Sequence, residues 1–112
     1  MTKIRFSKNT VVINSMPINL KYKIAVAFEK NGIVIVLFDP DEYIPKFGQF
    51  RNLVGLNCQG TKLWEAELPT NETGDCYFKI RSQYPLKAIS FKSWICEIDI
   101  RTGKIISKCF TK

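Results

Sequence analysis

The chain has 112 residues, 46% of them apolar, with eight Phe, four Tyr, two Trp, no His and a net charge of +7. A chain of this size is one ordinary domain that buries roughly two-thirds of its unfolded surface and folds without staples. Its composition is too apolar for disorder, no run approaches the ~18 apolar residues of a membrane span, and without His the common general base and the usual triads are missing.

From the N-terminus, Met1–Arg5 has a charged start with no apolar stretch after it. No signal peptide is expected there, which points to the cytoplasm. No window keeps a capped i, i+3, i+4, i+7 apolar stripe, whereas short β-branched and aromatic runs recur between turn residues. Thr10–Asn14 reads as a strand that Met16-Pro17 breaks. Lys21–Phe28 and Ile33–Phe38 flank Asn31-Gly32, the strongest short hairpin signal, because both residues tolerate positive φ. Ile33–Phe38 (IVIVLF) is apolar on both faces, which predicts a central, fully covered strand. Asp39–Arg51 holds two prolines and a glycine and reads as a long irregular loop. A meander follows, with strands near Asn52–Cys58, Thr61–Ala66, Cys76–Arg81, Leu86–Phe91, Trp94–Asp99 and Lys104–Phe110. Gln59-Gly60, Tyr84-Pro85, Lys92-Ser93 and Thr102-Gly103 supply turns, and Pro69–Asp75 is a polar loop.

The strand period of two assigns faces. Trp64, Ala66 and Leu68 share one face, with Glu65 and Glu67 opposite. Trp94, Cys96, Ile98 and Ile100 share another. The expected fold is therefore all-β: an antiparallel meander of about eight to ten short strands, in blade-like sheets or a β-sandwich, over a single domain 1–112.

Two segments carry a family resemblance. One is Phe50-Arg51-Asn52-Leu53-Val54-Gly55-Leu56 with Gly60 and Leu63-Trp64; the other is Leu86-Lys87-Ala88 with Ile98-Asp99 and Thr102-Gly103-Lys104-Ile105. Together they resemble β-propeller blade repeats of the quinoprotein-like and WD types. They are also similar to a group of small bacterial β-proteins with an Ile-Asp-x-x-Thr-Gly-x-Ile tail. Blades take about 40–45 residues each and closure takes at least about four, so this chain is not a closed propeller. The resemblance implies structural roles for Gly60 and Trp64, and no cofactor is carried over from it.

Candidate chemistry is sparse. Cys58, Cys76, Cys96 and Cys109 stand apart with no Cys-x-x-Cys pair, so buried free thiols are expected and no metal site. Asp39, Asp41 and Glu42 read as a solvated turn, and Asp99 with Gly103 as a side-chain-capped turn. Phe47, Phe50 and Arg51 have interface hot-spot composition and are the candidate binding residues, though they could equally fold inward and cap the sheet. Residues 1–30 and 79–112 are basic and the middle is acidic. Tyr22 beside Lys21 and Lys23, and Tyr77 with Lys79 and Arg81, could form a stacking platform.

The expected function is non-enzymatic: a cytoplasmic β-protein that binds another protein, in an immunity- or antitoxin-like role for example, or a copy of itself as a homodimer. The alternative is a nucleic-acid or polyanion binder using the basic termini. No cofactor and no membrane association are expected.

Overall fold

Among the described residues, eleven strands make three antiparallel sheets, each a plain meander in sequence order. The structure is a computed structural model and describes residues 2–42 and 48–111. The N-terminal sheet holds β1 (Ile4–Ser7), β2 (Thr10–Ile13) and β3 (Met16–Asn19). The middle sheet holds β4 (Ile24–Lys30), β5 (Ile33–Phe38), β6 (Leu53–Leu56) and β7 (Lys62–Glu65). The C-terminal sheet holds β8 (Tyr77–Ser82), β9 (Lys87–Ser90), β10 (Trp94–Ile98) and β11 (Ile105–Phe110). The all-β expectation holds. Among the described residues there is one 3₁₀ turn, Pro40–Glu42, and no helix long and apolar enough to cross a membrane.

Tight turns explain why the strands run in sequence order. Asn31 and Gly32 take φ of 51° and 81°, the double positive φ of a type I′ hairpin turn, and the Glu29 carboxylate accepts the Gly32 N–H at 2.7 Å. Asn14 and Ser15 do the same at 49° and 70° between β2 and β3. That turn, and not Met16-Pro17 as expected, breaks the strand begun at Thr10, and Met16-Pro17 opens the next one. Pro17 sits inside β3 opposite Val12, and it is tolerated because β3 is an edge strand whose outer side needs no donor. The strand expected from Lys21 begins only at Ile24, because Tyr22 turns inward to pack its ring on Phe38 and Phe50.

The middle sheet lies between the other two. Along β5, Ile35 and Leu37 point to one core, with Leu53, Trp64, Tyr77, Ala88, Cys96 and Ile98. Val34, Val36 and Phe38 point to the other, with Val11, Ile13, Ile24, Phe50 and Leu56. The strand apolar on both faces is thus covered on both faces by its own chain, as a central strand should be. The basic residues are spread over all three sheets, and Lys30 of β4 stands over the Tyr84 ring, 5.8 Å from its centre.

Candidate functional site

Of the residues expected to be structural, Trp64, Asp99 and Gly103 meet at one indole, while Gly60 lies against Ile18. Trp64 projects from β7 into the core between the middle and C-terminal sheets, 7% exposed, and its Nε1–H donates to the Ile100 carbonyl at 2.8 Å. Gly55, opposite it on β6, lies against the ring: a Cβ there would stand 2.3 Å from Trp64 Cε2. Gly103 also lies against the ring, where a Cβ would stand 2.6 Å from Cε3. Gly103 has a φ of +75°, and the turn that places it is built by Asp99. The Asp99 carboxylate accepts the Arg101 N–H at 2.9 Å, while the Asp99 carbonyl accepts from Thr102 and Gly103. Gly60, φ +87°, lets the β6–β7 turn settle on Ile18 of β3, where a Cβ would come within 2.1 Å of Ile18 Cδ1.

The candidate binding loop divides. Phe47 lies outside the described residues. Phe50 is 7% exposed, its ring edge-on to Tyr22 at 4.9 Å, so the inward reading is the correct one and the surface-contact reading is not. Arg51 is exposed and has no ion-pair partner among the described residues.

What Arg51 borders was not legible beforehand. A groove of about 340 Å³ opens on the face of the middle sheet that the N-terminal sheet covers only in part. Its floor is Leu20, Tyr22, Phe38, Val54 and Leu56, and its rim carries Lys21, Arg51, Lys62 and Glu65. A more open hollow of about 370 Å³ continues it, sharing Tyr22, Arg51 and Glu65. Lys21 Nζ stands 5.3 Å from the centre of the Tyr22 ring. Lys62 is paired with Glu65 at 2.8 Å, so among the described residues the two rim charges without an ion pair, Lys21 and Arg51, are both cationic. Register explains the mixture: Lys62 sits opposite Leu56 and Glu65 opposite Val54, on the face away from Trp64. A larger cleft of about 540 Å³ lies by the Tyr84–Pro85 turn, but Glu97, Asp99 and Arg101 give it charges of both signs.

The remaining candidates are structural. Tyr22 and Tyr77 do not form a stacking platform: Tyr22 packs on Phe38 and Phe50, and Tyr77 is buried with its OH donating to the Glu67 carbonyl at 2.6 Å. Burial, with the Asp75 carboxylate adding to it, pushes the Cys76 thiol up to about 11, and burial likewise raises Cys96. All four thiols are free, but only Cys76 and Cys96 are buried; Cys58 is half-buried and Cys109 exposed, which corrects the expectation for those two. In the loop before the groove, the Asp39 carboxylate accepts the Asp41 N–H and the Glu42 carboxylate accepts the Lys23 N–H, so these acids cap a turn.

One buried polar residue carried no sequence signal. Asn52 is fully buried between the sheets. Its Nδ2 donates to the carbonyls of Phe38 and Tyr77 at 3.0 and 2.5 Å, and its Oδ1 accepts the Tyr77 N–H at 2.9 Å. It ties the end of β5 to the start of β8, as backbone pairing does elsewhere.

A family model for a domain of unknown function, DUF7957, matches residues 1–110, and so spans all three sheets. The chain belongs to the DUF7957 family. No curated protein matches it. The groove and the indole clamp are therefore features of a DUF7957 domain whose three sheets fall within one family unit.

Proposed function

We propose that this chain is a non-enzymatic binding module whose groove beside Arg51 receives an extended segment of a partner protein. The segment would carry an apolar or aromatic side chain next to an acidic one. A single observation carries the reading: an apolar floor under a rim whose two unpaired charges, Lys21 and Arg51, are cationic. Apolar area supplies affinity, and the guanidinium gives a carboxylate a bidentate partner. Free edge β7, ending at Glu65, runs along the groove and could pair with such a segment as an added strand. An immunity- or antitoxin-like role is one concrete form of this, in a cytoplasmic setting.

The non-enzymatic side of the proposal is supported by the thiols. Cys76 and Cys96 are held protonated by burial, and a protonated thiol is a poor nucleophile. Polyanion binding by the basic termini is the alternative, and it would show as an affinity that falls steeply with salt.

The test is capture from the native host with wild-type chain and Arg51→Glu, at low and at high salt, followed by lysine cross-linking. The expected result is a protein retained by wild type at high salt, lost with Arg51→Glu, and cross-linked through Lys21 or Lys62. Recovery of nucleic acid that washes off with salt would support the alternative instead. Cross-links confined to the C-terminal sheet would move the site elsewhere.

A further inference from the structure

Among the described residues, two buried side-chain polar atoms have no hydrogen-bond partner: Asp75 Oδ1 and Ser90 Oγ. Both residues are 0% exposed. The other Asp75 oxygen, Oδ2, accepts the Thr70 hydroxyl at 2.7 Å, and no Lys or Arg among the described residues is paired with the carboxylate. The register brings the two side chains together. Ser90 lies opposite Tyr77, and the pairing runs on past Tyr77, because the Phe91 N–H donates to the Cys76 carbonyl at 3.0 Å. Asp75, two residues before Tyr77, is thus the diagonal neighbour of Ser90 on the same side of the sheet. Diagonal neighbours stand roughly 7–8 Å apart, which leaves room for one atom-sized ligand between a carboxylate and a hydroxyl.

We infer that Asp75 and Ser90 hold a monovalent metal cation of the sodium or potassium kind. Chemistry selects the occupant. Buried charges are paired or coordinate metals, and this carboxylate has no cationic side chain beside it. Ionised Asp75 can accept but not donate, and Ser90 Oγ offers lone pairs, so the two form a set of hard oxygen ligands. The single negative charge is balanced by a single positive one. A divalent ion calls for more carboxylates, and no three acid, Cys or His side chains gather at one point among the described residues.

The ion also acts at a distance. The loop that ends at Asp75 is laced to the segment that carries Phe50 and Arg51. The Phe50 N–H donates to the Asp75 carbonyl at 3.2 Å, and the Gly74 N–H to the Gly48 carbonyl at 2.9 Å. Gln49 Nε2 donates to the Thr70 and Glu72 carbonyls at 2.6 and 3.0 Å. An ion that fixes Asp75 therefore fixes the rim of the groove at Arg51, so ion and partner should strengthen each other's binding. The ion site stands without the groove; only this coupling rests on the proposed function.

Urea unfolding in the chlorides of sodium, potassium, calcium and choline, at one ionic strength, tests the site. Screening of the +7 charge is then equal in every arm, and choline is too large to enter. Wild type should be more stable in sodium or potassium than in choline. Above the dissociation constant, each tenfold rise in the ion should lower the unfolding constant about tenfold, one ion being bound by the folded state alone. Asp75→Asn should unfold at one midpoint in all four salts, because the amide removes the charge and brings a donor for Ser90. Ser90→Ala removes one ligand and should move the dependence to higher ion concentration. Circular dichroism confirms that each variant is folded, and Ser90→Ala carries the test if Asp75→Asn is not. Equal midpoints for wild type in all salts overturn the inference and leave the two atoms to a water molecule. So do an ion dependence that survives in Asp75→Asn, a Ser90→Ala curve that superposes on wild type, and stabilisation by calcium alone. No partner is present in these measurements, so failure of the ion site is distinguishable from failure of the groove.

Discussion

Against one face of the middle sheet, the four-stranded C-terminal sheet lays Tyr77, Leu86, Ala88, Cys96 and Ile98 around a clamped indole. Against the other, three strands of four residues contribute Val11 and Ile13 to the buried core, and the cover stops before β6 and β7 end. The first interface is closed by large side chains and by carbonyls with assigned donors. The second is closed where β2 lies and open where the groove begins. A sheet face must be covered or wetted. Where cover runs short, the groove over buried Phe38, Val54 and Leu56, edged by half-buried Leu20 and Tyr22, is the part of the molecule with spare binding capacity. Stability and function are therefore expected to separate by face: substitutions on the Trp64 side should unfold the chain, and substitutions at the groove should spare the fold.

The largest expected effect is at the clamp. Trp64→Ala removes a buried indole, its hydrogen bond to Ile100 and its contacts with Gly55 and Gly103, and should cost about 3–5 kcal/mol in urea melts. A loss below about 1 kcal/mol would mean that this face is no better sealed than the other.

Next is the polar tie. Asn52→Ala leaves the Tyr77 N–H and the Phe38 and Tyr77 carbonyls without their partner in the interior, and should cost about 2–4 kcal/mol. Asn52→Asp should be no better, because a carboxylate can accept from Tyr77 but cannot donate to either carbonyl. Rescue by Asp would show that only the acceptor contact matters.

The third prediction uses pH. The folded chain holds Cys76 protonated up to about pH 11, whereas the same thiol in the unfolded chain ionises near its ordinary 9.0. Above that lower value the unfolded state has given up a proton that the folded state keeps, so stability falls as pH rises. The contribution is whole below about pH 8.5 and lost by about pH 11, and for this thiol amounts to about 2–3 kcal/mol. Cys96 acts in the same direction. Urea midpoints measured between these limits should drop, and Cys76→Ala should flatten the slope. A flat profile in wild type would show that the surroundings of Cys76, in the core shared with Val11 and Ile13, are wetter than their packing implies.

Local signals were legible in the sequence because each depends on neighbours in the chain. Asn31-Gly32, the alternation around Trp64 and Trp94, and the two-sided run Ile33–Phe38 all read directly, and so did the Asp99 turn. The first three-stranded sheet was half missed. Its β2–β3 turn uses Asn14-Ser15 without glycine, and Pro17 is harmful in a strand only if its neighbour on that side is another strand. The groove was not legible at all. It brings together Leu20, Arg51 and Lys62 from three separate connections and edges, and nothing in local periodicity says which sheet will be too narrow to cover its neighbour. Asn52 was read as the start of a strand, since a buried amide is marked only by the carbonyls that surround it after folding.

The smallest expected effect on stability is the one that most sharpens the contrast between the faces. Arg51 is exposed, bears no ion pair among the described residues, and lies at the rim of the groove, so its guanidinium contributes little to the folded state. Arg51→Glu should change the unfolding free energy by no more than about 0.5 kcal/mol. The same substitution turns the rim charge against an acidic segment, so affinity for the captured partner should fall about tenfold, chiefly through slower association, and the loss should shrink at high salt. Trp64→Ala in a background stable enough to stay folded should do the reverse, lowering stability and leaving affinity nearly unchanged. If Arg51→Glu instead unfolds the chain, the groove is part of the core and the difference between the two faces disappears. If it changes neither property, the cationic rim is only a solvated edge and the partner binds elsewhere.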